Sequence, residues 1–160
     1  MIGTDGMVQE RFRFMEIRHL SEEHIDGLVA LYEFNKKEFE YFTPHPFTRD
    51  GFLQILSEAV NDLYYVVVFR NTVIGYGMLR GMDEGYDVPS LGIAVDKAVY
   101  GTGVAKTLMG FLETTSRLRG YKKMRLRVYR ANPRAYNFYT KLGYKYEPYD
   151  EESVLGFKEL

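Results

Sequence analysis

The sequence predicts one mixed α/β domain, residues 1–160, with about seven strands and four helices, and three observations carry that expectation. Its 160 residues match the length of one domain. Its composition, 46% hydrophobic and 27% charged, is that of a chain with a sizeable core, not of a disordered or fibrous one. Apolar residues recur alternately at strand and helix periods along the chain, with no repeat, linker or low-complexity tract between them.

Residues 1–11, with a second methionine at Met7, read as a disordered or added extension without function of its own. Phe12 to His19 alternates and predicts the first strand. Ser21 followed by Glu22 and Glu23 reads as an N-cap with an acidic first turn, and Ile25, Leu28, Val29 and Leu31 carry a helix to about Asn35. Two prolines, Pro44 and Pro46, stiffen the aromatic-rich loop from Lys36 to Thr48. Thr48 caps a second helix, whose apolar face is Phe52, Leu53, Ile55, Leu56 and Val60. Leu63–Phe69 and Thr72–Arg80 form a hairpin about Arg70-Asn71. After an acidic loop to Ser90, a fourth strand spans Leu91–Asp96, and a long helix runs from about Thr102 to Arg119, stopped by Gly120. Lys123–Tyr129 alternates as a fifth strand. Asn132 and Pro133 then open a short helix that Gly143 ends, and Tyr144–Tyr149 and Ser153–Lys158 close the sheet.

Composition excludes several chemistries at once. Without cysteine there is no disulfide framework, no thiolate metal site and no thiol nucleophile, and His19, His24 and His45 lack ligand spacing, so no metal is expected. No run of about 18 apolar residues offers a membrane span, and the first residues lack a signal peptide, which points to a cytoplasmic protein with no membrane partner. The charge is balanced overall at −1 but unevenly spread, because Gly101 to Lys145 holds eleven basic residues against Glu113 alone. Such a segment suits an anionic ligand such as a phosphorylated cofactor, and the acidic remainder suits a cationic one.

The densest chemical signal is a strand, a glycine turn and a helix: Leu91 to Asp96, Tyr100-Gly-Thr-Gly-Val-Ala105, then the long helix. Free backbone N–H groups at a helix start, with no side chains at Gly101 and Gly103 to block approach, bind phosphate. Two nucleotide motifs fail here. Ala105 stands where a Walker loop needs glycine, and Lys106 stands where a dinucleotide fingerprint needs its third glycine.

The segment resembles the GNAT superfamily of acyl-CoA-dependent N-acyltransferases. The family pattern Arg/Gln-x-x-Gly-x-Gly/Ala matches Gly103 and Ala105, with Tyr100 in place of the Arg/Gln, and the pattern Asn-x-x-Ala-x-x-Phe/Leu-Tyr-x-Lys-x-Gly-Phe/Tyr is met by Asn132, Ala135, Phe138, Tyr139, Lys141, Gly143 and Tyr144. The resemblance covers Leu91 to Tyr146, a little over a third of the chain. It implies a mostly antiparallel sheet splayed between strands four and five, with acetyl-CoA as co-substrate in the gap. The pantetheine arm would bond the main chain of Ile93, Ala94 and Val95, and Asn132. The pyrophosphate would meet amides of Tyr100, Gly101, Thr102, Gly103, Val104 and Ala105.

The reaction so implied is acetyl transfer to a primary amine by direct attack in a ternary complex. Tyr139 is the expected general acid at the departing thiolate, and it also borders the cofactor. Glu84 and Asp87, and with them Asp83, are the candidate bases; His45 is a further one, and His45 and Phe47 are candidate substrate contacts on the aromatic loop. The acceptor is a small molecule or a peptide. A non-catalytic acyl-CoA sensor or interaction module is the alternative, since fold does not dictate turnover. Nucleic acid is not an expected partner, the basic residues being tied to a cofactor-type turn. The sheet edge near the C-terminus points to a homodimer.

Overall fold

The structure, a computed structural model, describes residues 14–160. The expected extension and the first residues of the expected first strand, Phe12 and Arg13, lie outside them. In chain order the elements are β1 (Met15–His19), α1 (Ile25–Phe34), α2 (Arg49–Glu58), β2 (Leu63–Phe69), β3 (Thr72–Arg80), β4 (Ser90–Val95), α3 (Val104–Leu118), β5 (Lys123–Tyr129), α4 (Pro133–Lys141), β6 (Lys145–Pro148) and β7 (Ser153–Glu159). All seven strands form one sheet in the order β1-β2-β3-β4-β5-β7-β6.

Local chemistry sets most of these boundaries. Thr48 Oγ1 accepts the Gly51 N–H at 3.1 Å and Asn132 Oδ1 accepts the Ala135 N–H at 3.3 Å, so these two of the three expected caps are formed. Ser21 precedes a 3₁₀ turn, Glu22–His24, and α1 follows at Ile25. The β2–β3 turn places Arg70 at φ 48° and Asn71 at φ 63°, the doubly left-handed conformation of a tight hairpin. The α3 helix starts at Val104, two residues later than expected, because Gly101 at φ 74° and Gly103 at φ 93° take left-handed backbone that a helix cannot include.

The sheet is antiparallel except between β4 and β5. Period-two alternation divides its side chains into two cores. Leu108, Leu112, Met124, Leu126 and Tyr139 are buried between one face and α3 and α4. Ile25, Leu28, Phe52, Val66 and Tyr76 are buried between the other face and α1 and α2. Removing these apolar surfaces from water is the main force holding the layers together.

One break in the sheet positions everything that follows. The β3–β4 register runs without interruption from Gly75↔Val95 to Arg80↔Ser90, whereas β4 and β5 are paired at Ser90↔Arg125 alone. Beyond that point the two parallel strands diverge, and the expected splay is present.

Candidate active site

The divergence opens a cleft of about 810 Å³, lined by β4, the turn before α3, β5, α4 and the loop after α1. That volume suits a ligand of cofactor size. Asp96 N–H donates to Ile74 O at 2.9 Å, and the antiparallel pattern makes every second β4 residue bond toward β3. Ala94 and Gly92 therefore turn their main chain to β3. Leu91, Ile93 and Val95 turn theirs toward β5, as Pro89 does where its carbonyl accepts the Arg125 N–H at 3.0 Å. Past the single β4–β5 pair, the N–H and C=O groups of Ile93 and Val95 face open cleft. Of the three residues expected to hold a pantetheine arm, Ala94 lines the cleft with its main chain bonded toward β3, while Ile93 and Val95 present theirs to the open side.

A similar sorting applies to the glycine turn. The Tyr100 N–H donates to Lys97 O at 3.2 Å and the Thr102 N–H to Val99 O at 3.3 Å, so these two amides are already satisfied. The first α3 bond is from Thr107 N–H to Gly103 O, which leaves the N–H groups of Val104, Ala105 and Lys106 as first-turn donors without a helical acceptor. Gly101 and Gly103 find no backbone acceptor among the described residues. A Cβ at either would meet nothing within 4 Å, so the space beside these amides is open. Five N–H groups, Gly101 and Gly103–Lys106, thus remain without a backbone acceptor at the positive end of α3, a donor set of the kind that suits an anion.

Across the cleft stands α4. Asn132 caps it and lines the cleft as well. Tyr139 lies one face deeper, 8% exposed, with its ring against Phe138 and Tyr144. Its hydroxyl has no hydrogen-bond partner among the described residues, and burial, helped by Tyr146, drives its pKa well above the ordinary tyrosine value. Tyr139 is therefore a neutral phenol at the cleft wall with a proton to give. Arg134, in the first turn of α4, lays its guanidinium over the Tyr100 ring at 3.6 Å from the centroid.

Comparison with known proteins gives the family and the fold. A model of the acetyltransferase (GNAT) family matches residues 28–144. The chain belongs to the GNAT family. Among solved structures, this GNAT chain is similar to the PaiA N-acetyltransferase of Thermoplasma acidophilum, solved in complex with coenzyme A, at 21% identity over 91% of this chain and 99% of that one, with a TM-score of 0.78. It is also similar to the GNAT domain of S. lividans PAT, at 19% identity over 91% and 90% of the chains with a TM-score of 0.75. A third is the ribosomal-protein-S18-alanine N-acetyltransferase of Escherichia coli, at 15% identity over 91% and 94%, with a TM-score of 0.70. At these identities the likeness is one of fold. No curated protein matches the chain significantly by sequence.

Several residues singled out on the acceptor side of this GNAT chain have other employment. Asp83 accepts the N–H groups of Val60, Asn61 and Asp62 at 3.0, 2.6 and 3.1 Å, which closes the turn after α2 and holds its carboxyl below the ordinary aspartate value. Glu84 and Asp87 are exposed on the same loop and are not among the cleft-lining residues. Phe47, expected to touch substrate, is 7% exposed and packs against Phe39, Phe42 and Phe52. His45 stacks on Phe47, and its Nδ1 lies 3.0 Å from Pro46 O and its Nε2 2.7 Å from Tyr76 Oη. A carbonyl only accepts, so Nδ1 carries the proton and Nε2 accepts from the Tyr76 hydroxyl. Burial lowers the pKa of this neutral imidazole, which pins the loop to the sheet.

The cleft wall on that side is built instead from Glu38, Glu40, Tyr41 and Phe42 of the loop and Tyr129 of β5. The Tyr41 and Tyr129 rings meet at 5.5 Å, bridging loop and strand. Phe42 closes on β4 because residue 92 is glycine: a Cβ there would fall 2.9 Å from the Phe42 ring. The outward alternation of Arg125, Arg127 and Tyr129 was the available signal for Tyr129. Nothing local marks Glu40.

Proposed function

We propose that this GNAT protein transfers an acetyl group from acetyl-CoA to the primary amine of an acceptor, by direct attack in a ternary complex. The observation that carries the reading is the pairing of open Ile93 and Val95 main chain on β4 with the buried, neutral Tyr139 phenol across the cleft. The residues present fit the co-substrate: a row of unpaired strand groups suits an amide-rich arm, and the donors at Gly101 and Gly103–Lys106 suit its pyrophosphate. Bound there, acetyl-CoA supplies an activated acyl thioester.

The chain's own groups account for the rest. A β4 N–H facing the cleft donates to the oxygen that becomes negative as the amine attacks. Tyr139 Oη holds its proton at neutral pH and can pass it to the departing thiolate. Among the cleft carboxylates, Glu38 lies 3.6 Å from Lys97, while Glu40 has no basic partner within ion-pair distance among the described residues. Glu40 is thereby a better candidate than Glu84 or Asp87 to take the amine proton, directly or through water. Holding both reactants in one groove contributes further, up to about 7–11 kcal/mol of barrier.

Calorimetric titration with acetyl-CoA tests the reading, followed by a thiol-release assay over a panel of amines. Saturable binding at one site per chain and amine-dependent thiol release are expected. Absence of binding overturns the proposal, and binding without release for any amine favours an acyl-CoA sensor.

A further inference from the structure

Tyr100 is where this chain departs from its family's phosphate-turn pattern, which has Arg or Gln at that position. The departure takes that polar side chain out of the turn, yet a cation stands at the same place. Arg134 reaches over from α4 and seats its guanidinium on the Tyr100 ring at 3.6 Å, and both residues line the cleft. We propose that Arg134, held flat by Tyr100, is a pyrophosphate-binding residue of this protein, supplied from α4 in place of the turn side chain that Tyr100 replaces.

Three features of the site support this. First, Arg134 has no carboxylate within ion-pair distance among the described residues, whereas the other cleft arginine, Arg127, is tied to Asp150 at 2.7 Å. The acids nearest Tyr100 are also engaged: Glu38 with Lys97, and Asp96 with the Ala98 N–H. Second, Arg134 occupies the first turn of α4, directly after Asn132 and Pro133, where the helix macrodipole disfavours a cation. A cation placed against that field, in a cleft with the α3 N-terminus and Lys106 on its other side, is relieved by an anion between the two helix starts. Third, the guanidinium uses a face on the ring, and its N–H edge stays available for a bidentate, charge-assisted contact of the kind phosphate oxygens accept. The ring thus acts as a platform. Tyr100 is a positioning residue, and Arg134 makes the contact.

The inference rests on the acetyl-CoA reading, and a variant series separates the two. Titrations with coenzyme A and dephospho-coenzyme A are run on the unaltered chain and on Arg134→Ala, Arg134→Lys, Tyr100→Phe and Tyr100→Ala. Arg134 is exposed, so its loss leaves folding intact, which thermal melting checks. Arg134→Ala is expected to weaken both ligands by the same factor, roughly 10–100-fold for one lost charge-assisted contact. Arg134→Lys recovers part of that, Tyr100→Phe binds normally because the ring and not the hydroxyl matters, and Tyr100→Ala weakens binding without adding to Arg134→Ala. Moving the cation back into the turn, with Tyr100→Arg on the Arg134→Ala background, restores affinity.

Equal binding by the unaltered chain and Arg134→Ala overturns the assignment while leaving the acetyl-CoA reading in place. A loss seen with coenzyme A but not with dephospho-coenzyme A overturns it too, since Arg134 would then serve the 3′-phosphate. If the unaltered chain binds neither ligand, the acetyl-CoA reading itself falls and takes this one with it.

Discussion

The two sides of the cleft use the same kinds of residue for opposite purposes. On the side of β4, the glycine turn and α4, polar groups are left unpaired and face open space: the Ile93 and Val95 main chain, the first amides of α3, the Tyr139 phenol and the Arg134 guanidinium. On the side of α1, α2 and their loop, comparable groups are turned inward. His45 bonds Tyr76, Asp83 ties down the α2–β2 turn, and Phe47 is sunk in an aromatic core. Polar groups left unpaired beside a cleft are free to bond a ligand, whereas groups already bonded within the fold are not. Residue type alone does not separate the two cases, whereas hydrogen-bond accounting does.

The strongest way to test that contrast is to remove one group from each side. On the cofactor side, Tyr139→Phe keeps the ring and its packing and removes only the proton. It is expected to leave acetyl-CoA binding unchanged and to slow transfer by roughly 10²–10⁴-fold, measured as single-turnover thiol release. Unchanged transfer would take Tyr139 out of the chemistry.

On the other side the effect belongs to stability. Phe47→Ala empties a buried aromatic site and is expected to cost about 3–5 kcal/mol in urea unfolding, with acetyl-CoA affinity preserved. A variant that stays as stable but loses acceptor turnover would return Phe47 to the substrate.

The smallest effect is a slope with pH. Burial holds His45 below its ordinary value of 6.5, so on acidification the unfolded chain takes up that proton before the folded chain does. The stability of the neutral, bonded imidazole is complete above about pH 6.5 and declines as pH falls toward the lowered folded value. His24, lowered by burial in the same way, adds its own share. Melting temperatures taken from about pH 7.5 to about pH 5 should fall less steeply for His45→Gln than for the unaltered chain. An identical slope would show that the loop is not clamped through this pair.

Much of the fold from β4 to α4 was legible beforehand because its signals are local. Positive-φ glycines, a helix cap at Asn132 and the strand-turn-helix order are each decided within a few residues of sequence, and the motif carrying Tyr139 spans one short helix. The hairpin at Arg70-Asn71 was read for the same reason. Other features needed neighbours distant in sequence. Whether Ala94 or Ile93 presents its backbone to the cleft depends on its register with Tyr76 and Gly77 of β3. Asp83 looked like a free loop acid until the turn at Val60 to Asp62 folded onto it, and His45 looked available until Tyr76 came within 2.7 Å.

By itself, then, the sequence determined the succession of strands and helices and the glycine turn before α3, since periodicity, capping and glycine conformations act over short range, while Tyr139 was singled out by the family resemblance of its motif. Only the tertiary structure decided at which residue pair the expected parting of β4 and β5 begins, that the acidic loop stays outside the cleft, and that Arg134 meets Tyr100. Those outcomes follow from sheet register and packing, which join residues through space, and no local pattern encodes which partner a side chain will find.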